Sequence, residues 1–298
     1  MIIHQYIYTR LPKAHSAQGK DGFQAAFVPP NFLTAAELLA LESRIHFPTN
    51  PTFSEKWLAF FQEIEHQQYL VLFFLKSLPL EKDSLGREGN FLCQGFFLPE
   101  KCWQIYPSPL ALLPFLEGQC LHSLQAVLAS PKTFPETGII APLAVKMADL
   151  PKPPHEMGGL EPHVVSLWRA LRGLNEKSGT GFSLVLKGPA LAVTRALAGA
   201  HALLPAAQRP GLGWDSAFDG GRIHFSPFRV FGYAQNAPQT GRPIGLDLAN
   251  GQWNWGDVPP DFVAATPLDL WMEHQWSPTY TWQSWYSLTE LAAKLKLP

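Results

Sequence analysis

Charge is what this sequence has least of. Only 16% of its 298 residues are Asp, Glu, Lys or Arg, against about 25% in an average soluble domain. The net charge is -1 and the isoelectric point is near 6.8, so no overall field draws the chain toward nucleic acid or an anionic membrane. A surface with so few charges is partly apolar. Two interpretations remain open: a partner covers part of it, or the protein is a self-contained domain of low solubility.

Cysteine is scarce as well. Cys93, Cys102 and Cys120 form an odd, sparse set, which argues against a disulfide framework. Together with His122 they could ligate zinc, but the chain has no Cys-x₂-Cys pair, which is the usual unit of such sites. Cys93 could act as a nucleophile only with a histidine partner, and it lies within an apolar run. We therefore predict core cysteines, no metal and no cofactor.

Membrane and phosphate-binding signals are missing too. No segment has the ~18 apolar residues that span a bilayer, and Met1–Gln5 has no basic region typical of a signal peptide. The pattern Gly-x₄-Gly-Lys-Ser/Thr does not occur, and Gly179-Thr180-Gly181 precedes a predicted strand rather than a helix. We expect a cytoplasmic protein without membrane association, and no nucleotide hydrolase of the P-loop class.

Long apolar runs separated by polar residues dominate the first half. Tyr69–Leu75 and Asn90–Leu98 have the length and composition of buried strands. Their connection, Lys76–Gly89, is longer than a tight hairpin needs, and such loops often bind partners. Ile2–Tyr8 is predicted to be a strand that pairs with this hairpin, and Phe23–Val28 a further strand.

Helix starts are marked by capping residues. Thr34 and Glu37 have the spacing of a capping box, and Ser287 with Glu290 repeats it near the end of the chain. Ser54 could cap a further helix. The apolar face of that helix would consist of Trp57, Leu58, Phe61 and Ile64.

The second half interleaves helices and strands. A helix is predicted from Pro162, a strand at Phe182–Leu186, and a helix from Gly188 to about Leu204. Asn250-Gly251 predicts a hairpin with a type I′ turn. We expect an α+β fold of two domains, each a mixed sheet with packed helices. The predicted boundaries are residues 1–150, a Pro- and Gly-rich linker at 151–159, and residues 160–298 with a tryptophan-rich tail.

Two aromatic regions are candidate binding surfaces. Aromatic residues are interspersed with Arg222 and Arg229 between Arg222 and Tyr233, a combination that can stack single-stranded RNA; the alternative is a core strand. The candidate nucleic-acid or nucleotide contacts are Arg222, Phe225, Phe228 and Arg229. Seven of the ten tryptophans lie between Trp214 and Trp285, where they are either interface anchors or local core.

Three sequence segments carry a family resemblance. They are His4–Arg10 followed by Gly22–Ala26, then Gly86–Phe91 leading into an apolar strand, and Leu203–Pro205 followed by the predicted strand Leu212–Phe218. In this order they resemble the N-terminal and middle domains of the bacterial GTPase-associated protein family of multi-component conflict systems. The resemblance covers most of residues 1–255. Where the family pattern has Phe-Ala-His, this chain has Leu92-Cys93-Gln94.

The resemblance implies a non-enzymatic adaptor or core subunit of a bacterial conflict or defence assembly. Its partners would be other protein subunits of the same system, including a GTPase encoded beside it. Recognition of single-stranded RNA or a nucleotide is the alternative, and a hydrolase using Cys93 is a third hypothesis. No catalytic residue is assigned. The candidate partner-binding residues are Arg10, Asp83, Arg87, Glu88, Asn90, Trp271, Trp276, Trp282 and Trp285.

Overall fold

The structure of the protein is a computed structural model, in which the chain forms two units. The structure describes residues 1–13, 21–47, 53–79, 88–106, 108–129, 138–140, 142–151, 160, 163–176, 182–218, 226–233, 242–256, 265–277 and 281–295. The first unit comprises Met1–Cys102 and Pro114–Pro151, and the second Trp103–Leu113 and Lys152–Pro298. Helices accompany a mixed sheet, which confirms the α+β class. Of the predicted linker, residues 152–159 lie outside the described ranges.

The sheet of the first unit is largely antiparallel. Its strands are β1 (Ile2–Leu11), β2 (Gly22–Val28), β3 (Glu55–Ile64), β4 (Gln67–Leu78), β5 (Asn90–Pro99), β6 (Gly138–Ile139) and β7 (Leu143–Ala144). Their order is β3-β4-β5-β1-β2-β6, with β7 beside the start of β1. Only β2 and β6 pair in parallel among these. The predicted pairing of the first strand with the apolar hairpin is confirmed, because β5 lies between β4 and β1.

The helix predicted after Ser54 was wrong. These residues form β3, which pairs with β4 along its whole length. Residues 56–61 are all buried, and a strand buried on both faces is a continuous apolar run whose spacing can also fit a helix. Glu65 and His66 connect β3 to β4 with φ of 49° and 63°, so a two-residue loop with the positive φ angles of a type I′ turn closes the hairpin.

Helices of the first unit and of the crossing segment are short. They are α1 (Ala35–Glu42), α2 (Glu100–Ile105), α3 (Leu112–Glu117) and α4 (Leu124–Ala129). The capping box predicted for Thr34 and Glu37 is present. Ser108 Oγ accepts a hydrogen bond from the Leu110 amide and caps a 3₁₀ turn.

Aromatic rings pack against the first sheet in the space above a glycine, Gly95. Tyr6 and Phe60 both contact Phe73, with ring centroids 6.0 and 5.2 Å away. Gly95 lies opposite Tyr6 and Phe73 on the neighbouring strands. A Cβ at Gly95 would lie 2.5 Å from Phe73 Cε1. The missing side chain therefore makes room for the ring.

The sheet of the second unit is mainly parallel. Its strands are β8 (Phe182–Lys187), β9 (Trp214–Phe218), β10 (Val230–Tyr233), β11 (Arg242–Asp247) and β12 (Trp253–Asn254), in the order β12-β11-β8-β10-β9. Only the β11–β12 pair is antiparallel among them. Parallel strands need crossover connections, and α6 (Ala190–Leu203) supplies one between β8 and β9. The other helices are α5 (Val164–Glu176), α7 (Pro267–Gln275) and α8 (Trp282–Leu295).

The hairpin predicted at Asn250-Gly251 is present between β11 and β12, but its turn type and the start of the last helix were predicted wrongly. Gly251 has φ of 69°, but Asn250 is not in the positive region, and Asp247 and Gln252 close a four-residue loop instead of a type I′ turn. The last helix begins at Trp282, five residues before Ser287. Thr281 Oγ1 accepts from the Ser284 amide and supplies the cap. Within the described residues, no helix is both long enough and apolar enough to cross a membrane.

Candidate binding surface at one end of the first sheet

Strand register brings distant motif segments together at one end of the first sheet. Thr9 lies opposite Gln24 of β2 on one side and opposite Leu92 of β5 on the other. Arg10 lies opposite Phe23, and Asn90 opens β5 beside the end of β1. We call this set the motif cluster. It consists of Tyr8, Thr9, Arg10, Phe23, Glu88, Asn90 and Phe91.

Asn90 joins the strands at the centre of the motif cluster. Its Oδ1 accepts from the amides of Phe91 at 2.9 Å and Arg10 at 3.3 Å. Two N–H donors identify this atom as the carboxamide oxygen. The Thr9 hydroxyl donates to the Phe91 carbonyl at 2.7 Å, with Asn90 Oδ1 3.4 Å away. Both side chains are buried, so they hold the start of β5 against the end of β1.

Arg10 presents a fixed cation at the edge of the cluster. Its guanidinium lies over the Phe23 ring, with Cζ 4.5 Å from the centroid. Nη1 donates to the Glu88 carbonyl at 3.0 Å. Arg10 and Phe23 are each half-buried. Stacking and hydrogen bonding therefore orient the planar cation before anything binds.

Aromatic rings extend the cluster. Phe23 stacks on Phe91 with centroids 4.6 Å apart and lies 6.0 Å from Tyr8. Phe47 contacts the same Phe91 ring at 5.3 Å. Burial, reinforced by Glu42 and Cys93, raises the pKa of Tyr8 to about 12. Its hydroxyl therefore stays protonated at neutral pH. Phe91 and Phe47 are buried, so the half-buried rings of Tyr8 and Phe23 are the ones that a partner could contact beside the stacked guanidinium.

The position where the family pattern has histidine is structural here. Gln94 Nε2 donates to Gln5 Oε1 at 2.9 Å and to the Gln119 carbonyl at 3.3 Å. Its Oε1 accepts from the Leu121 amide at 2.9 Å. The buried carboxamide thus ties β5 both to β1 and to the turn after α3.

The structure does not assign the other predicted partner-binding residues to the motif cluster. Asp83 and Arg87 fall outside the described residues. Trp271 and Trp276 are half-buried in the second unit, and Trp282 belongs to α8, but its side chain is not described. Trp285 is fully buried and donates from Nε1 to the Leu203 carbonyl at 3.2 Å. Trp285 is therefore part of the core.

The two predicted nucleic-acid contacts that the structure describes, Phe228 and Arg229, are not free at the surface. Arg222 and Phe225 lie outside the described residues. Phe228 is only 4% exposed, which leaves no ring face for a base in this conformation. Arg229 donates to the carbonyls of Leu174 and Phe182, so it holds α5 and β8 rather than projecting from the surface.

The cysteines behave as core residues in this structure. All three are buried, and burial raises the pKa of Cys93 well above its usual range and those of Cys102 and Cys120 to about 12. Their thiols stay protonated, whereas nucleophiles and zinc ligands are thiolates. Within the described residues, no three His, Cys, Asp or Glu side chains group as metal ligands.

Arg10, Glu88 and Asn90 were predicted from the sequence to bind a partner, but their neighbours in the cluster were not. Thr9 and Phe23 were not predicted, although both occur in the segments that carry the family resemblance. The available signal was that two short motifs on strands predicted to pair could meet at the same end of a sheet.

The chain matches none of the protein-family models, and none of the curated proteins matches it.

Proposed function

We propose that this protein is a non-enzymatic adaptor or core subunit of a bacterial conflict or defence assembly, acting in the cytoplasm. It would bind other protein subunits of that system through the motif cluster. A GTPase is the partner class that the family resemblance implies.

The observation that carries this proposal is the convergence of the motif segments. Residues 8–10, 22–24 and 88–91 are far apart in sequence, yet they make one connected set of hydrogen bonds and ring contacts. Segments that resemble a family and meet at one surface are better explained by a shared binding role than by three separate packing needs.

The chemistry of the cluster suits a protein partner. Arginine and aromatic side chains are the types most enriched among residues that dominate binding free energy. Arg10 is held by Phe23 and by the Glu88 carbonyl, so little rotamer entropy is lost on docking. A carboxylate of the partner, set against the guanidinium, would give such an interface its orientation.

The alternative function, recognition of single-stranded RNA or a nucleotide, has weaker support. It depends on Arg222, Phe225, Phe228 and Arg229. The buried ring of Phe228 and the backbone contacts of Arg229 do not favour stacking of bases.

Co-expression with the neighbouring GTPase tests the proposal. The full chain and the GTPase encoded beside it are produced together, and the complex is measured by size-exclusion chromatography and titration. We expect a stable complex whose dissociation constant rises at least tenfold in Arg10→Ala with Phe23→Ala, because the oriented cation and its ring are lost.

Arg195→Ala is the matched control, since Arg195 is an exposed arginine on α6 of the second unit. It should leave the affinity unchanged. Absence of a complex for the folded wild-type protein, or equal loss in both variants, would contradict the proposal. Salt-dependent binding of single-stranded RNA without a protein complex would favour the alternative.

A further inference from the structure

A cavity of about 270 Å³ lies within the second unit. It is bounded by the last turn of α5 and by the residues that lead into β9 and β10. Its apolar wall consists of Leu171, Leu174, Leu204, Leu212 and Val230. Ligand pockets in proteins usually measure about 300–1,000 Å³, so this cavity suits a small ligand.

Arg229 brings a positive charge to the cavity wall. Nη1 donates to the Leu174 carbonyl at 2.6 Å, while Nε and Nη2 share the Phe182 carbonyl at 3.3 Å. A guanidinium has five N–H donors, so two make no hydrogen bond within the part of the chain that the structure describes. The guanidinium is thus held in place by the backbone and keeps donors for a ligand.

The charges of α5 do not neutralise Arg229. The carbonyl end of α5 carries about half an elementary negative charge, which is smaller than the full charge of Arg229. The nearest carboxylate on α5, Glu176, is paired with Arg172 at 2.9 Å. An anionic group beside Arg229 would therefore find a favourable potential.

Asn175 supplies a second polar group. Its carboxamide lies against Gly211, where a Cβ would overlap Asn175 Oδ1. The half-buried Asn175 side chain makes no hydrogen bond to another described residue. Glycine at 211 therefore lets an amide that both donates and accepts occupy the cavity wall.

We propose that this cavity binds a small organic carboxylate with an apolar body. The carboxylate would pair with the two remaining N–H groups of Arg229, Asn175 would hydrogen-bond the ligand, and the leucine and valine side chains would enclose its apolar part. This inference stands independently of the adaptor role, because it rests on a different unit and on different residues.

Phenylacetate and its neutral counterpart, phenylacetamide, test the proposal on the wild-type full chain. Ligand-observed NMR titrations should give phenylacetate at least tenfold higher affinity, because only the carboxylate neutralises Arg229. Inorganic phosphate should not displace phenylacetate, because it has no apolar body. No binding of phenylacetate, equal affinity for the amide, or displacement by phosphate would each overturn the proposal.

Three variants test whether phenylacetate binds in this cavity. Leu174→Phe fills the space and should abolish binding, and Asn175→Ala should weaken it about threefold to tenfold. Arg229→Gln should lower the affinity at least tenfold, with the exposed Arg195→Gln as the matched control. If Arg229→Gln does not fold, the other two variants decide the result. Unchanged affinity in folded Leu174→Phe and Asn175→Ala would overturn the assignment.

Discussion

The two units satisfy their buried polar groups in different ways. In the first unit, buried Gln5 and Gln94 bond each other across adjacent strands, as do Thr9 and the start of β5. In the second unit, charged side chains join helices to one another or to strands. Arg172 of α5 reaches Asp269 of α7 at 2.6 Å, and Arg229 reaches backbone carbonyls.

This difference follows from sheet topology. Adjacent antiparallel strands such as β1 and β5 lie residue opposite residue, so a polar residue finds its partner directly across on the neighbouring strand. Parallel strands are separated in sequence by crossover helices, and long arginine side chains can span the distances between these layers. Trp57 is the single tryptophan of the first unit, while the other nine belong to the second. Tryptophan fluorescence therefore reports mainly on the second unit.

The largest expected effect comes from removing the buried carboxylate in the second unit. Asp269 is fully buried and also forms a capping box with Thr266. Asp269→Ala should lower the free energy of unfolding by about 3–5 kcal/mol, because it leaves the buried charge of Arg172 underpaired. Urea unfolding followed by tryptophan fluorescence measures the change.

Glu273→Ala is the control for that experiment. Glu273 lies on the same helix, is exposed and pairs with Arg169 at 3.4 Å, so its loss should cost about 0–1 kcal/mol. Similar losses in the two variants would contradict the dependence of the second unit on buried charge.

Glycines on the two sheets should differ in their tolerance of a methyl group. A Cβ at Gly232 would overlap the Ser216 backbone carbonyl, whereas at Gly95 it meets the Phe73 ring. Adding atoms to a packed core typically lowers the free energy of unfolding by about 1–3 kcal/mol. We expect Gly232→Ala to cause a loss near the upper end of this range and Gly95→Ala to cause a smaller loss. Denaturant unfolding of both variants checks the order.

Double variants test the same difference. Adding Phe73→Leu to Gly95→Ala should recover part of the lost stability, because leucine is smaller than phenylalanine and leaves room for the new methyl group. Val193→Ala should not rescue Gly232→Ala, since the Ser216 carbonyl cannot move without its strand. Rescue of Gly232→Ala would show that the side chain, not the backbone, sets the limit.

A buried histidine should make stability depend on pH. Burial, reinforced by the charge of Arg209, lowers the pKa of His201 to about 3, against about 6.5 in an unfolded chain. Between these values the unfolded state binds one more proton. The stability that His201 contributes is therefore complete above pH 6.5 and decreases toward pH 3, by at most about 1.4 kcal/mol per pH unit.

Urea unfolding of the wild-type protein and His201→Phe at pH 7, 6, 5 and 4 measures this contribution. The difference in free energy of unfolding between the two proteins should change with pH in that direction, whatever the cost of the substitution at pH 7. Parallel pH profiles would contradict it.

The smallest effect is expected at the turn between β3 and β4. Glu65 and His66 hold positive φ angles that Asn and Gly adopt more readily. Glu65→Asn and His66→Gly should each raise the free energy of unfolding by about 0.5–1 kcal/mol. Differential scanning calorimetry detects the gain, and Glu63→Asn removes a nearby exposed carboxylate as the control. No gain would mean that side-chain contacts offset the backbone strain.

Local signals predicted much of the fold. The capping box at Thr34, the apolar runs of β4 and β5, and the helix after Gly188 depend on neighbouring residues, and all are present. The prediction of a helix after Ser54 was wrong because β3 is buried on both faces. The Thr281 cap was missed because Ser284, rather than an acidic residue, stands three positions later.

The candidate site was only partly predictable. Arg10 and Asn90 were selected from motif letters, and the strand pairing that joins them could be expected from the apolar pattern. The stacking of Arg10 on Phe23 depends on the register of β1 and β2, which short motifs do not specify. The cavity beside Arg229 depends on contacts between α5, β9 and β10, and no local pattern encodes those.

The passage of Trp103–Leu113 into the second unit has a consequence during synthesis on the ribosome. Its buried side chains include Trp103, Tyr106 and Leu112, and Ser108 Oγ donates to the Ala198 carbonyl of α6. Helix α6 is synthesised roughly 85 residues after this segment. At about 5–20 residues per second, the delay is about 4–17 s. During this interval the segment lacks the helix that its Ser108 contacts in the folded protein.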